Sequence, residues 1–273
     1  NYDLNELGHN SEKYIQLLVE AEKLSFSDRS KYLGDPDFNY IPINELLDKD
    51  YLKSRFNLFS FDKAQPSENI SPGELLINES NETTHYSIVD KFGNAVSVTT
   101  TLNGNYGSKL ISPELGFFLN NEMDDFSIKP GSPNMYGLIG GKTNSIEPEK
   151  RMLSSMTPSI VELNGNLSMV LGSPGGPTII TSVLQTLINF YEFDFNMQQS
   201  VDASRFHHTW LPDKIFYEKN IFSEKVKDNL VKKGYILNSN HSTIGRVDAI
   251  YIDENKIFYG GEDKRGDDKS IGY

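Results

Sequence analysis

A strand, a glycine-rich turn and an amphipathic helix follow one another in the middle of the chain, and this unit constrains the fold more than any other feature. The strand covers residues 167–171, the turn reads Gly-Ser-Pro-Gly-Gly over 172–176, and Pro177 suits the first turn of a helix. Because the helix that follows has one apolar face, that face must be buried against another layer, and the unit predicts a sheet covered by helices. The apolar face consists of Ile179, Ile180, Val183, Leu184, Leu187 and Ile188.

β-Hairpins are predicted on both sides of this unit. Gly93-Asn94 and Asn164-Gly165 are turn sequences, and each stands between two segments rich in residues that favour strands. Antiparallel hairpins separated by long helices predict an α+β fold built in layers, and they argue against a parallel, doubly wound sheet. The predicted hairpins pair 84–90 with 95–102, 160–163 with 167–171 and 247–252 with 257–259, and the other predicted helices cover 11–27, 43–55 and 223–233.

Composition and charge exclude several classes of protein. The 273 residues include 37% hydrophobic ones, which is enough to bury a sizeable core. A net charge of −12 gives no electrostatic basis for holding nucleic acid or an anionic membrane surface. There is no cysteine, so disulfides, thiolate zinc sites and iron–sulfur ligation are excluded. No apolar run approaches the roughly 20 residues of a membrane span.

Residues 63–74 differ in composition from both of their neighbours. They contain two prolines, one glycine and few apolar side chains, which is typical of an exposed linker. The elements predicted upstream are helical, whereas those downstream are mostly strands. The segment is therefore the predicted boundary within the chain.

Two adjacent histidines, His207 and His208, could suggest a metal site. Neighbouring side chains on an extended chain point to opposite faces, however, so they cannot easily reach one ion. The pair is therefore predicted to hold one packed and one solvated histidine.

A threonine-rich sequence, Asn-Glu-Thr-Thr-His-Tyr-Ser over residues 81–87, opens the β-rich part of the chain. By itself, a Thr-Thr pair at a strand start indicates only β-propensity. Together with residues 78–80, it resembles the processing site of the γ-glutamyltranspeptidases, which belong to the N-terminal nucleophile hydrolase superfamily. The resemblance extends in family order to the segments at 21–23, 28–36, 119–126, 153–158, 172–176 and 205–208.

This resemblance implies a fold and a maturation step. The expected fold is a four-layer αββα sandwich, and the expected step is autoproteolysis between Glu82 and Thr83. Residues 1–82 would then be the C-terminal part of a large subunit, and residues 83–273 would be the small catalytic subunit. The cut would expose the α-amine of Thr83, whose reference pKa of about 7.7–8.0 makes it a useful base for the hydroxyl of the same residue.

The resemblance also implies roles for individual residues. Thr83 is expected to be the nucleophile, Thr101 to orient its hydroxyl, and the backbone N–H groups of Gly175 and Gly176 to bind the oxyanion. The amino-acid head of a γ-glutamyl substrate is expected to contact Asn103, Glu122, Asp125, Ser154 and Ser155, with Thr101, Gly175 and Gly176 also lining its site. Tyr136, in the proline- and glycine-rich stretch 130–138, is expected to belong to a lid.

The implied reaction is transfer of a γ-glutamyl group, without cofactor or metal, from a donor such as glutathione to water, an amino acid or a dipeptide. The remaining N-terminal part of the large subunit is the expected partner. It would supply the arginine that binds the substrate α-carboxylate, which lies outside these residues. A periplasmic or secreted location is expected from the resemblance alone.

Two departures from the family pattern leave alternatives open. Glu82 stands where glutamine is usual before the cut, and Met152 replaces a proline before Leu-Ser-Ser. A carboxylate beside the forming ester would slow self-cleavage, so one alternative is a homologue that never matures and serves as a binding or structural module. The other is a related acylase that acts on glutaryl or polyglutamyl amides.

Overall fold

The computed structural model describes residues 2–73, 84–239 and 243–272, and it combines helices with mostly antiparallel strands. The α-helices are α1 Leu4–Leu7, α2 Glu12–Tyr32, α3 Ile43–Leu46, α4 Lys49–Arg55, α5 Thr178–Tyr191, α6 Met197–Asp202 and α7 Glu224–Lys232. The strands are β1 Thr84–Val89, β2 Ala95–Thr100, β3 Ser159–Leu163, β4 Asn166–Gly172, β5 Phe206–His207, β6 Ile215–Tyr217, β7 Leu237–Asn238, β8 Asp248–Ile252 and β9 Phe258–Gly261. The three predicted hairpins are confirmed, as is the helix after Pro177.

Two antiparallel sheets form the centre of the fold. One has the strand order β3-β4-β8-β9, and the other is the hairpin β1-β2, which lies against it. The Ser97 hydroxyl on β2 donates to the Leu171 carbonyl oxygen on β4 at 3.0 Å. On β1, the His85 imidazole fills the space above Gly172, where an added Cβ would stand 2.2 Å from its Cε1 atom. The start of β1 is therefore fixed over the end of β4.

Helices α5 and α6 cover the other face of the four-stranded sheet, which gives the predicted layers of helix and sheet. Ile179, Val183 and Leu187 of the predicted apolar stripe pack onto the central strands. Leu184, predicted on the same face, is instead 38% exposed. The buried side chains between these layers are Met169, Leu171, Ile179, Val183, Met197, Val201, Val247 and Ala249.

A second core joins the upstream helix α2 to downstream elements. Strands β5 and β6 pair antiparallel, β6 and β7 pair parallel, and this small sheet packs together with α2 and α7. The residues before and after the predicted cut therefore share one apolar core. Its buried members are Tyr14, Ile15, Leu18, Val19, Phe206, Ile215, Tyr217, Phe222, Leu230 and Tyr235.

The prediction of an exposed linker at 63–74 is wrong at Ser67 and Ile70, which are only 1% and 5% exposed. Other described residues of the segment, Pro66 and Glu68 among them, are exposed. Local composition is misleading here because the segment is held through its backbone polar groups, which pair with side chains far away in the sequence. Residue 74 lies outside the described residues.

Two smaller predictions also need correction. His207 and His208 are both buried, with 3% and 0% of their surface exposed, so neither is solvated. The helix predicted over 43–55 is divided into α3 and α4, because the carboxylate of Asp48 accepts from the Tyr51 N–H at 2.8 Å and caps a new helix.

A pH dependence of stability follows from His85. Its ring nitrogens lie 2.8 Å from the Thr99 hydroxyl and 2.9 Å from the Ser87 hydroxyl, and burial lowers its pKa to about 4. The unfolded chain binds this proton near pH 6.5, so stability is lost as the pH falls from about 6.5 towards 4. We expect His85 to contribute about 2 kcal/mol to the loss of unfolding free energy between pH 7.5 and pH 5.

Chemical denaturation of the wild type and of His85→Gln at both pH values checks this prediction. The variant lacks the titrating group, so it should lose less unfolding free energy than the wild type on acidification. Equal losses in the two proteins would contradict the prediction.

Candidate active site

An open cleft of about 730 Å³ lies between the end of β2 and the turn that follows β4. Three of the predicted site residues, Thr101, Asn103 and Gly175, line it together. They come from separate parts of the sequence and meet because the β1-β2 hairpin packs on β4. The rest of the lining is Thr100, Leu102, Gly104, Asn105, Tyr106, Pro174, Thr178, Thr243, Gly245 and Arg246.

Thr101 and Asn103 are held in a tight turn at the end of β2. The Asn103 N–H donates to the Thr101 hydroxyl oxygen at 2.7 Å, and Asn103 has a positive φ of 68°. Its side-chain amide donates to the Asn121 carbonyl oxygen at 3.1 Å. Because the Thr101 oxygen accepts from a backbone amide, its own O–H proton is left to be donated to another group.

The turn at Gly175 and Gly176 presents backbone donors beside the cleft. Both residues have positive φ values, 128° and 61°, and their carbonyl oxygens accept hydrogen bonds from the first residues of α5. Neither N–H group donates to any of the residues that the structure describes. Two unused amides at the N-terminal end of a buried helix are suited to stabilising a developing negative charge.

Glu122 and Asp125 lie in one 3₁₀ turn, Glu122–Asp125, which is tied to the end of β2. The Asn121 N–H donates to the Leu102 carbonyl oxygen at 3.1 Å, so this turn adjoins Asn103. Burial raises the pKa of Glu122. Asp125 is only 2% exposed and lines a second cavity of about 240 Å³, together with Arg29. The two predicted acidic residues therefore lie near the cleft on the side of Asn103.

Ser154 and Ser155 lie in a separate segment of the chain. A hydrogen bond with Arg29 connects this segment to the Asp125 cavity. The Arg29 guanidinium donates to the Ser155 hydroxyl oxygen at 3.0 Å, and Ser155 is fully buried. Ser154 accepts from the Met156 N–H at 3.0 Å. Neither serine is among the described residues that line the cleft or the Asp125 cavity. The structure thus brings Ser155 close to Arg29, which borders the Asp125 cavity.

Asn144 is a residue of this region that the sequence analysis missed. It is fully buried, its side-chain amide donates to the Asp125 carbonyl oxygen at 2.7 Å, and its Oδ1 accepts from the Leu153 N–H at 3.1 Å. The Ser127 N–H donates to its carbonyl oxygen at 2.9 Å. Asn144 therefore joins the acidic turn to the serine segment. No local pattern in the sequence distinguishes it from the chain's many other asparagines.

The predicted lid, residues 130–138, folds back on itself above the acidic turn. The Tyr136 N–H donates to the Asn134 side chain at 3.0 Å, and the Met135 N–H donates to Asp124 at 3.1 Å. The loop is thus attached to the residue that precedes Asp125. Tyr136 is half-buried, and it is not among the described residues that line the two cavities.

Glu82 and Thr83, the predicted cut and nucleophile, lie outside the described residues. Thr84, the next residue, begins β1 and pairs with Thr100, which lines the cleft.

Comparison with known proteins decides the family. The family model described as "Gamma-glutamyltranspeptidase" matches residues 1–273. The chain belongs to the γ-glutamyltranspeptidase family. The chain is 46% identical over 274 residues to the glutathione hydrolase proenzyme of Escherichia coli K12, covering 100% of this chain and 47% of that relative. The chain thus spans about half the length of the curated relatives it matches.

Solved structures place this chain in the N-terminal nucleophile hydrolase fold. An acivicin-inhibited γ-glutamyltranspeptidase is 51% identical, with a TM-score of 0.65, and the match covers 68% of this chain and 100% of that one. A cephalosporin acylase from Bacillus halodurans has a TM-score of 0.81 at 23% identity, over 96% of this chain and 46% of that one, which shows the fold alone. The predicted fold class is therefore confirmed.

None of the helices among the described residues is both long and apolar enough to cross a membrane. The described residues also contain no group of three or more histidine, aspartate or glutamate side chains arranged to hold a metal ion.

Proposed function

We propose that this chain is the catalytic part of a γ-glutamyltransferase and glutathione hydrolase that matures by cutting itself between Glu82 and Thr83. One observation carries the proposal: strand β1, which follows Thr83, begins opposite Thr100, and Thr100 lines the same cleft as Thr101 and the turn with the two unused glycine amides. A nucleophile, a group that orients it and oxyanion donors are the parts that acyl transfer requires.

Maturation and catalysis use the same hydroxyl. In maturation, the Thr83 hydroxyl attacks the Glu82 carbonyl carbon, the peptide C–N bond breaks to give an ester and a free amine, and water hydrolyses the ester. In catalysis, the new α-amine takes the hydroxyl proton while the oxygen attacks the γ-glutamyl carbonyl. The proton passes to the leaving amine, and water or an acceptor amine then releases the acyl group.

The residues around the Asp125 cavity would hold the amino-acid head of the donor. Asp125 and Glu122 are suited to pairing with its ammonium group, and Asn103 lines the cleft and donates to the residue that precedes Glu122. Ser154 and Ser155 would contact the α-carboxylate, a role supported by the Arg29 guanidinium that donates to Ser155. The arginine that completes this site, and the rest of the large subunit, lie outside these residues.

Glutathione is proposed as the donor because the relative from Escherichia coli named above is a glutathione hydrolase proenzyme. The acceptor would be water, an amino acid or a dipeptide, and the location would be periplasmic or secreted. An acylase acting on glutaryl or polyglutamyl amides remains the second candidate, since the acylase named above shares the fold. Residues 1–82 and 83–273 are proposed to be the two subunit parts.

Intact-mass measurement of the purified full-length protein tests maturation, because cleavage must yield a piece that starts at Thr83. Release of aniline from γ-glutamyl and glutaryl anilides then tests the substrate class, since only the former has the ammonium that Asp125 would bind. Preference for the γ-glutamyl compound supports the proposal. Equal or faster turnover of the glutaryl compound favours the acylase, and an uncut, inactive protein favours the module that never matures.

A role for Asn144 in substrate affinity follows from its two side-chain hydrogen bonds. We expect Asn144→Ala to raise KM for a γ-glutamyl anilide about tenfold, while kcat changes less. Without Asn144, Asp125 is no longer held in position to pair with the substrate ammonium, and we expect this to cost about 1.4 kcal/mol of binding free energy. Steady-state kinetics of the mature enzyme measure both constants. Asn166→Ala is the matched control, because Asn166 is exposed and bonds only within its own turn. A lower kcat at unchanged KM would refute the assignment.

A further inference from the structure

Two buried hydroxyl groups lie at the turn that carries the unused glycine amides. Ser173, which follows β4, is fully buried, and Thr178, the first residue of α5, is only 7% exposed. Each hydroxyl donates to a carbonyl oxygen of the turn at 2.6 Å, that of Ser173 to Pro174 and that of Thr178 to Gly175. The two hydrogen bonds therefore act on neighbouring peptide units.

These carbonyl oxygens share peptide units with the two unused amides. A peptide unit is planar, and in its trans form the carbonyl oxygen and the N–H of the next residue point in opposite directions. Both units are trans. A bond that holds the Pro174 oxygen therefore sets the direction of the Gly175 N–H. In the same way, a bond that holds the Gly175 oxygen sets the direction of the Gly176 N–H.

The backbone of the turn does little by itself to fix these directions. Gly175 and Gly176 have φ values of 128° and 61°, in regions that glycine enters freely because it has no side chain. In the parts of the chain that the structure describes, the Ser173 hydroxyl is the only donor to the Pro174 oxygen. The Gly175 oxygen also accepts from the Thr178 N–H, but at a longer distance of 3.2 Å.

Ser173 is itself held by a well-anchored part of the fold. Its oxygen accepts from the Arg246 N–H at 2.8 Å, which leaves its own proton to be donated to the turn. Arg205 and Asp263 form a buried ion pair at 2.9 Å, and each also binds one main-chain group of residues 244–247. The Ser173 hydroxyl therefore transmits a fixed position to the turn.

We propose that Ser173 and Thr178 are positioning residues for the oxyanion donors. Their hydroxyls hold the peptide planes on either side of Gly175, so that both amides are directed at the negative charge that develops on the substrate carbonyl oxygen. Donors that are oriented in advance stabilise this charge without having to turn during the reaction. The inference rests on the proposed function, because it assigns the groups that hold the oxyanion site of that reaction.

The test compares the mature wild-type enzyme with two variants that each remove one hydroxyl, Ser173→Ala and Thr178→Val. We expect each variant to lower kcat for a γ-glutamyl anilide about tenfold. The loss is smaller than the 10²–10³ for removal of an oxyanion donor, because the amide remains and loses only its orientation. KM should stay within about twofold, since the contact is made mainly in the transition state.

A boronic acid analogue of the γ-glutamyl donor gives a second readout. Its boron binds the oxygen of the nucleophile and becomes tetrahedral and negatively charged, so the adduct resembles the state that the amides stabilise. Its inhibition constant should rise by about the same factor as kcat falls. A general structural defect would not link these two quantities while leaving KM unchanged.

Ser168→Ala is the matched control for Ser173→Ala. Ser168 lies earlier on β4, is only 5% exposed, and its hydroxyl lies 2.8 Å from that of Tyr191, away from the turn. This variant should keep its kcat within about twofold of the wild type. Thr178→Ser keeps the hydroxyl and should recover most of the kcat lost in Thr178→Val.

Three results would overturn the inference alone. They are a wild-type kcat in both hydroxyl variants, a raised KM at unchanged kcat, and a failure of both variants to mature while Ser168→Ala matures. The last result would mean that the hydroxyls are needed for folding rather than for orienting the amides. A wild-type protein that releases no amine from the anilide overturns the proposed function and this inference together.

Discussion

Replacing Thr83 by alanine is expected to leave one uncut chain that releases no amine from a γ-glutamyl anilide. The substitution removes the attacking oxygen of both the maturation step and the catalytic step, and without the cut no α-amine becomes available as a base. Loss of a nucleophile that acts in a covalent mechanism lowers activity by several orders of magnitude, so we expect a decrease of about 1,000-fold or more. Intact-mass measurement and the anilide assay record the two effects.

Thr83→Ser is the control for this experiment, since serine keeps the hydroxyl and the α-amine. It should still cut itself and retain activity, even if at a lower rate. Cleavage that persists in Thr83→Ala would contradict the proposed mechanism. A covalent inhibitor found attached to any residue other than Thr83 in the mature wild type would contradict it as well.

Replacing Gly175 by alanine is expected to lower kcat about 100-fold or more. Its φ of 128° is closed to residues with a side chain, and an added Cβ would lie 2.7 Å from the Thr178 hydroxyl and 3.0 Å from the Gly245 Cα atom. The turn must therefore move, and with it the amides that are proposed to bind the oxyanion. The loss of one such donor typically costs 10²–10³ in rate. Steady-state kinetics of the matured variant measure the effect.

Gly165→Ala separates backbone strain from the loss of oxyanion donors. Gly165 also has a positive φ, of 79°, but it lies in the β3-β4 turn with no other atom within 4 Å of an added Cβ. We expect this variant to lose some thermal stability and to keep its kcat. A Gly175→Ala enzyme with wild-type kcat, or equal losses of kcat in both variants, would be inconsistent with an oxyanion role for the turn at Gly175.

Local patterns were sufficient to predict most of the helices and hairpins. The spacing of apolar residues from Ile179 onward and the turn sequence Asn164-Gly165 are local features of the sequence. The helix and the hairpin could therefore be predicted without knowledge of the tertiary structure. The break between α3 and α4 was missed because it depends on one side chain, Asp48, capping a new helix start.

Contacts between distant segments could not be predicted in the same way. The region 63–74 has the composition of a linker, yet its backbone is held by Trp210 and Asp213 from the other end of the sequence. Likewise, the expectation of one solvated histidine failed because both rings are covered by other parts of the chain. The His207 ring lies 2.8 Å from the Thr181 hydroxyl on α5, and the His208 ring lies 3.1 Å from Asp213.

For the candidate site, sequence motifs indicated which residues take part, but not how these residues are arranged in space. Thr101 and Gly175 were singled out through the family resemblance, and the structure shows them lining one cleft. Asn144 escaped notice because a buried asparagine has no distinctive neighbours in the sequence. Its importance becomes visible only when Asp125 and Leu153 are seen to share it.

The core that α2 shares with the small sheet and α7 has a consequence for how the two proposed subunit parts can be produced. Ile15 and Val19 on α2 are fully buried against residues that follow the proposed cut. If the two pieces were made from separate genes, each would present part of this apolar surface to water and tend to aggregate before meeting the other. Synthesis as a single polypeptide avoids this hazard, because both halves of the core are already joined when folding begins.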